Sequence, residues 1–294
     1  MAKFSFSLCK LLKQAATEWV TLGISRLGAA LAFYALFAIA PLFVIVLALA
    51  GLFIQAAAAR GELYKQLAGM IGSEASASVQ ALVGAVGKPK HGVWETILAT
   101  LLLFIGATGL FVHLQHALNT IWGVRRAPNH GLMNFLKDRL LSLALIAGVG
   151  LLLLLSLILD TVLSPAGKFT AGLLPAQQSF VQAVNFAVSF VVITLLFAMF
   201  FKLLPDVKIP WREVRMGALV TALFFCLGKF LLALYLGRGA TSTAYGAAGS
   251  LVIVLLWVYY SAQILMIGAK FTQLYSKSRG SRLEPLRGAQ WVTP

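Results

Sequence analysis

Few residues in this chain could do chemistry, and most of them sit inside apolar runs. Lys229 lies 17 residues beyond Arg212. On a helix that is about 25 Å. A cation at that depth in a bilayer is costly, so it either faces a partner or a wet cavity, or snorkels to the outer surface. Asp160 and Glu95 are the acids expected at the same depth, and either would pair with it. Pro41 falls near the middle of the first apolar run. It frees a carbonyl one turn back, which reads as a broken helix lining a cavity or as an ordinary kink. Asn119, Trp257, Tyr260 and Gln263 are polar or amphipathic groups at membrane depth that need partners, and with Pro41 and Lys229 they are candidates to line a path.

Other chemistry is missing from the pattern. His113 and His116 share a helical face, but no Cys, Asp or Glu follows at a spacing that completes a metal site. Gly228-Lys229 lacks the flanking residues of a phosphate loop, and no G-x-S-x-G occurs. The chain's nine acids are scattered, so paired carboxylates for metal-dependent nuclease work are not visible. No enzymatic activity, cofactor or metal is expected. Cys9 and Cys226 are not expected to form a disulfide.

The elements that hold these residues follow from composition. The 294 residues are 60% hydrophobic and 11% charged, against about 25% charged in soluble domains. The apolar runs are continuous and rich in Leu and Ala, which excludes the alternating strands of an outer-membrane barrel. The expected fold is an all-α membrane bundle forming a single domain over 1–294. Six spans are read at about 27–54, 93–118, 138–163, 180–204, 214–237 and 247–274, each longer than the ~20 residues a bilayer requires. Residues 1–26 form a leader whose Phe4, Leu8, Leu11, Leu12, Ala15 and Trp19 share a face, as in an interfacial amphipathic helix. Within 55–92, apolar residues at helical spacing imply surface helices, and 277–294 form a tail. Ala48-Leu49-Ala50 mimics a cleavage site, but the first run is long and late, so it reads as a retained signal anchor.

Orientation follows from the bases. Leader, second connection, fourth connection and tail end carry seventeen Lys and Arg, and the alternate connections carry six. That asymmetry puts both termini in the cytoplasm. It also accounts for the net charge of +15 without nucleic acid. Arg125, Arg126, Lys208, Arg212, Lys270 and Lys277 fall on that side and are candidate contacts for anionic lipid headgroups, each worth about 1 kcal/mol near a charged leaflet.

Ordered motifs carry a family resemblance. They are RLGAALAFYALFAIAPLF at 26–43, LQHALNTIWGV at 114–124, LPDVKIPWREVRMGALVTALFF at 204–225, GKFLLALYLG at 228–237, and YGAAGS with LLWVYYSAQILMIGAK within 245–270. From about residue 12 to 276 the chain resembles the YihY/BrkB family of bacterial inner-membrane proteins, once mislabelled as ribonuclease BN. The resemblance implies an envelope protein with a transport role involving lipid. Two positions depart from the family pattern: His116 and Lys270 stand where it usually carries acids, so a step depending on those acids is in doubt here. The functional expectation is a transporter or lipid translocator of the inner membrane. The alternative is a non-transporting scaffold, acting as a homo-oligomer or within an envelope complex.

Overall fold

The computed structural model describes residues 8–51, 109–126, 175–236, 249–286 and 288–292, with isolated helical positions between 61 and 80. Most are helical. The helices are α1 (Leu8–Thr21), α2 (Ile24–Gly51), α3 (Pro175–Leu203), α4 (Trp211–Leu236) and α5 (Gly249–Ser278). Residues 109–122 are helical as well. Three of these helices carry stretches long and apolar enough to cross a bilayer: Phe186–Leu203, Trp211–Leu232 and Val252–Ser278. A fourth appears if Lys10–Thr21 and Ile24–Ala38 are taken together, bent by 74°. The spans expected at 138–163 and over most of 93–118 lie outside the described residues.

The interruption in the first apolar region is not at Pro41. The backbone runs as one helix through Pro41 to Gly51, so a break there is not seen. The chain turns instead at Gly23, whose φ of 61° suits a residue without a Cβ. That turn frees α1 to lie across the end of α5. Leu11 and Ala15 are buried there with Phe271 and Leu274. Lys10, Lys13 and Gln14 stay exposed, as the spacing of apolar residues in the leader predicts.

α5 is the central helix, packed between α2 and α4, and α3 packs on the other side of α4. Residues 114–124 share one core with α2, α3, α4 and α5. The α4–α5 contact is antiparallel and very close. Gly217 lies under Thr272, and Gly268 lies under Thr221, so a methyl group at either glycine would collide with the facing threonine. The Gly-x-x-x-Thr spacing puts one pair on each helix, and the antiparallel run makes the two pairs reciprocal. Each threonine hydroxyl donates to the carbonyl of the glycine one turn back, at 2.6 Å and 2.7 Å. Its polar atom is satisfied within its own helix while its methyl packs across. In a bilayer, where apolar burial drives little, such close backbone approach is a principal source of helix association. The opposite face of α4 is apolar and exposed at Leu219, Leu223, Leu227, Phe230, Leu231 and Leu234, as a lipid-facing surface requires.

Four short strands sit at the α1 end of the bundle. β1 (Val124–Arg126) pairs antiparallel with β4 (Ala289–Trp291), and β2 (Val207–Lys208) with β3 (Glu284–Pro285). The tail therefore folds back onto two of the interhelical connections. Val292 N–H donates to the Gly123 carbonyl, and Leu286 N–H to that of Asp206, both at 2.9 Å. The apolar-run reading of the sequence did not provide for this cap.

Candidate functional site

The described polar groups gather at the tail end of the bundle. Asn119 is buried and faces the connection between α3 and α4. Its Nδ2 donates to Asp206 Oδ2 at 2.6 Å, and its Oδ1 accepts from the Asp206 N–H at 2.9 Å. Gln115, one turn back, donates to Asp206 Oδ1 at 3.3 Å. Asp206 is buried, and two neutral amides hold its carboxylate. Asn119 is thus committed at both ends of its amide to a connection rather than to a path. Its interhelical hydrogen-bonding role was legible in the sequence, but Asp206 was missed. The available signal was a lone acid in LPDVK between two spans of a chain with nine acids.

A second network joins α1 to α5. Trp19 Nε1 donates to Gln263 Oε1 at 2.7 Å. Gln263 is buried directly over Gly28 of α2, and its Nε2 has no partner. Two turns nearer the tail, Lys270 forms a salt bridge with Glu18, and its ammonium donates to Gln273 Oε1 at 2.7 Å. Lys270 is only 5% exposed. This corrects the expectation that it contacts lipid headgroups: α1 covers it and supplies its counter-charge. The base at 270, where the resembling family carries an acid, therefore meets an acid on α1. Burial pushes the Glu18 carboxyl up, but hydrogen bonds from Lys270 and Gln14, with the charges of Lys270 and Lys277, outweigh it and hold the carboxyl below its ordinary value.

The other proposed lipid contacts differ among themselves. Arg125, Arg212 and Lys277 are exposed. Lys208 is exposed too and pairs with Glu284 at 3.2 Å. Nearby, Lys202 lies 5.5 Å over the Trp211 ring and donates to the Ile209 carbonyl at 2.5 Å. Trp211 itself is exposed, as an interfacial tryptophan would be.

Toward the opposite end, among the described residues, α3 and α4 show more exposed side chains, while Ile253 and Val254 of α5 stay buried. An aromatic run crosses three helices, Phe197 to Phe225 at 5.5 Å and Phe225 to Trp257 at 5.8 Å, both edge to face. Beyond it, Tyr260 covers Gly228 and donates to the Phe224 carbonyl at 3.3 Å. Lys229 is half-buried beside this contact, between the exposed Leu227 and Phe230. On α3, the described side chains between 183 and 191 include none that is buried. The structure thus brings Tyr260 and Lys229 to the same level. Gln263 lies one turn nearer the tail than Tyr260, in the network with Trp19, and Asn119 lies in the separate network with Asp206. Glu95 and Asp160, the expected partners of Lys229, lie outside the described residues. His113 stacks on Tyr34 at 4.1 Å and His116 is exposed, so the pair does not converge. Among the described residues, no three His, Cys, Asp or Glu groups could hold a metal.

The comparisons agree with this architecture. The chain matches the family described as Virulence factor BrkB over residues 15–291. A UPF0761 membrane protein of Azotobacter vinelandii is 30% identical over 209 residues, covering 68% of this chain and 47% of that protein. One from Idiomarina loihiensis is 31% identical over 191 residues, covering 62% of each. One from Pseudomonas paraeruginosa is 28% identical over 274 residues, covering 90% of this chain and 62% of that protein. The chain spans about half the length of the curated relatives it matches. No solved structure matches it. With a match across nearly the whole chain and helices apolar enough to cross a bilayer, the chain is a membrane protein of the Virulence factor BrkB family.

Proposed function

We propose that this protein is a translocator of lipid or a similar amphiphile in the bacterial inner membrane, with both termini in the cytoplasm and no enzymatic activity. The observation that carries this reading is the uneven packing of the bundle. The tail end, assigned to the cytoplasm by its excess of Lys and Arg, is closed by buried networks and by the strand cap. The other end has exposed or half-buried side chains on α3 and α4, with a lysine past mid-bilayer. Exposed side chains and a cation at that depth suit the passage of an anionic headgroup while acyl chains stay in lipid. Lys229, Tyr260 and Trp257 would line the entry. Exposed Arg125, Arg212 and Lys277 would hold anionic headgroups on the cytoplasmic side.

The test is reconstitution into liposomes that carry a fluorescent anionic lipid. Translocation makes nearly all of the label accessible to an impermeant quencher. A quenched fraction equal to that of protein-free liposomes would reject the reading. A second reading, a non-transporting partner of an envelope complex, is favoured by the exposed Trp291 and Val292 at the end of the strand cap. It predicts that protein-free quenching level, together with copurification of another membrane protein that is lost on deleting 288–294.

A further inference from the structure

The buried or half-buried acids at the tail end are not equally satisfied. Asp206 takes two side-chain amides, and Glu18 has Lys270. Glu213 is 4% exposed, and Ser281 donates to its Oε1 at 2.8 Å. Among the described residues, its Oε2 is buried with no hydrogen-bond partner and no Lys or Arg pairs with it. A second buried oxygen nearby is also unpartnered, the hydroxyl of Ser276, whose residue is fully buried. The α4–α5 register places the two together. Gly217 faces Thr272, and one further turn toward the tail on both helices brings Glu213 opposite Ser276. The chain then closes the cluster. After α5, Gly280 adopts a φ of 67°, the Ser281 N–H donates to the Ser276 carbonyl at 3.2 Å, and Ser281 Oγ returns to Glu213.

We propose that Glu213, Ser276 and Ser281 form a binding site for one sodium-like alkali cation. A buried carboxylate without a counter-charge must acquire one or neutralise itself. The donors are all oxygen, which suits a hard cation. A single carboxylate balances one positive charge, and no cluster of three ligating acids, histidines or cysteines is present among the described residues to hold a divalent ion. A proton fits less well. Oε2 and the Ser276 hydroxyl are not hydrogen-bonded to each other, so protonation would only turn a buried acceptor without a partner into a buried donor without one. A cation bridging the two oxygens satisfies both. Bound there, it would tie the start of α4 to the end of α5, one turn from the glycine–threonine interlock. The proposal stands whether or not the protein translocates lipid.

Thermal unfolding of the full chain in detergent tests it, with sodium chloride replaced stepwise by choline chloride at constant ionic strength. The Tm of the wild-type protein should rise with sodium by about 2–4 °C and saturate. Glu213→Gln, which keeps shape and removes charge, should show no rise. Ser276→Ala, which keeps the charge and removes one ligand, should show the rise with a sodium midpoint several-fold higher. A wild-type Tm independent of sodium would overturn the site, as would a Ser276→Ala protein with the wild-type midpoint. Should Glu213→Gln fail to fold, the wild-type and Ser276→Ala titrations still decide.

Discussion

The tail end and the far end of α4 carry the same kinds of residue, yet they are built differently. Near the tail, Val214, Gly217, Ala218, Thr221, Ala222 and Phe225 are all buried, in the i, i+3, i+4, i+7 pattern of one helix face. Past Gly228 that face continues only through the half-buried Lys229 and Leu232, the latter packed on Ile253, while the exposed stripe of Leu219, Leu223 and Leu227 runs on through Phe230, Leu231 and Leu234. Hydrophobicity does not separate the two halves; residue size and polar pairing do. Glycine and threonine admit a neighbouring backbone, and the paired polar groups there add directional bonds that lipid cannot replace. Large aliphatics without such partners gain as much from lipid as from protein. The difference teaches where this bundle is held together.

That contrast can be broken most readily at its polar joints. Asn119→Ala removes the shortest side-chain bond to the buried Asp206 carboxylate and the acceptor of its N–H. It should cost about 3 kcal/mol of stability, read as chemical unfolding in mixed micelles. A loss under 1 kcal/mol would mean that the network is not a joint. Gly217→Leu forces α4 away from Thr272 and should cost about 2 kcal/mol in the same measurement. The matched change at the far end, Leu231→Ala, should stay within about 0.5 kcal/mol. Comparable losses at 217 and 231 would remove the distinction between the two halves.

The leader sharpens the comparison through pH. The Glu18 carboxyl is held below its ordinary value in the folded state. Its contribution to docking α1 is therefore present above the unfolded carboxyl value and is lost as pH falls through the lower folded one. At neutral pH α1 should resist trypsin at Lys10 and Lys13, and hydrogen exchange in α1 should speed up only under acid conditions. Lys270→Met removes the main partner, so undocking should move to higher pH. An unchanged profile would mean that apolar contacts of Leu11 and Ala15 alone hold the leader.

Much of this was legible in the sequence for simple reasons. Spans read at 180–204, 214–237 and 247–274 correspond to α3, α4 and α5 within a few residues, because long apolar runs in a chain of this composition have little else to become. The amphipathic leader was legible from the spacing of Leu11 and Ala15. The expected headgroup contact at Lys270 was wrong because position along a span says nothing about which neighbour covers it. Glu18 lies 252 residues away and meets it only through the turn at Gly23. The strand cap and the Glu213 cluster were missed for the same reason. Each joins a connection to the tail by pairing that leaves no local periodicity. Tyr260 covers Gly228 next to Lys229, and the acids expected to pair with Lys229 lie outside the described residues.

The proposed function requires one end to be shut and the other to open to the outer side. Cysteine labelling measures it most directly. In a Cys9→Ser, Cys226→Ser background, Lys229→Cys and Ala218→Cys would each be exposed in spheroplasts to a membrane-impermeant thiol reagent. The account predicts that Lys229→Cys is labelled from outside, and that Ala218→Cys is unlabelled until the protein is unfolded. Labelling of Ala218→Cys in the folded protein, or protection of Lys229→Cys from the outer side, would contradict it.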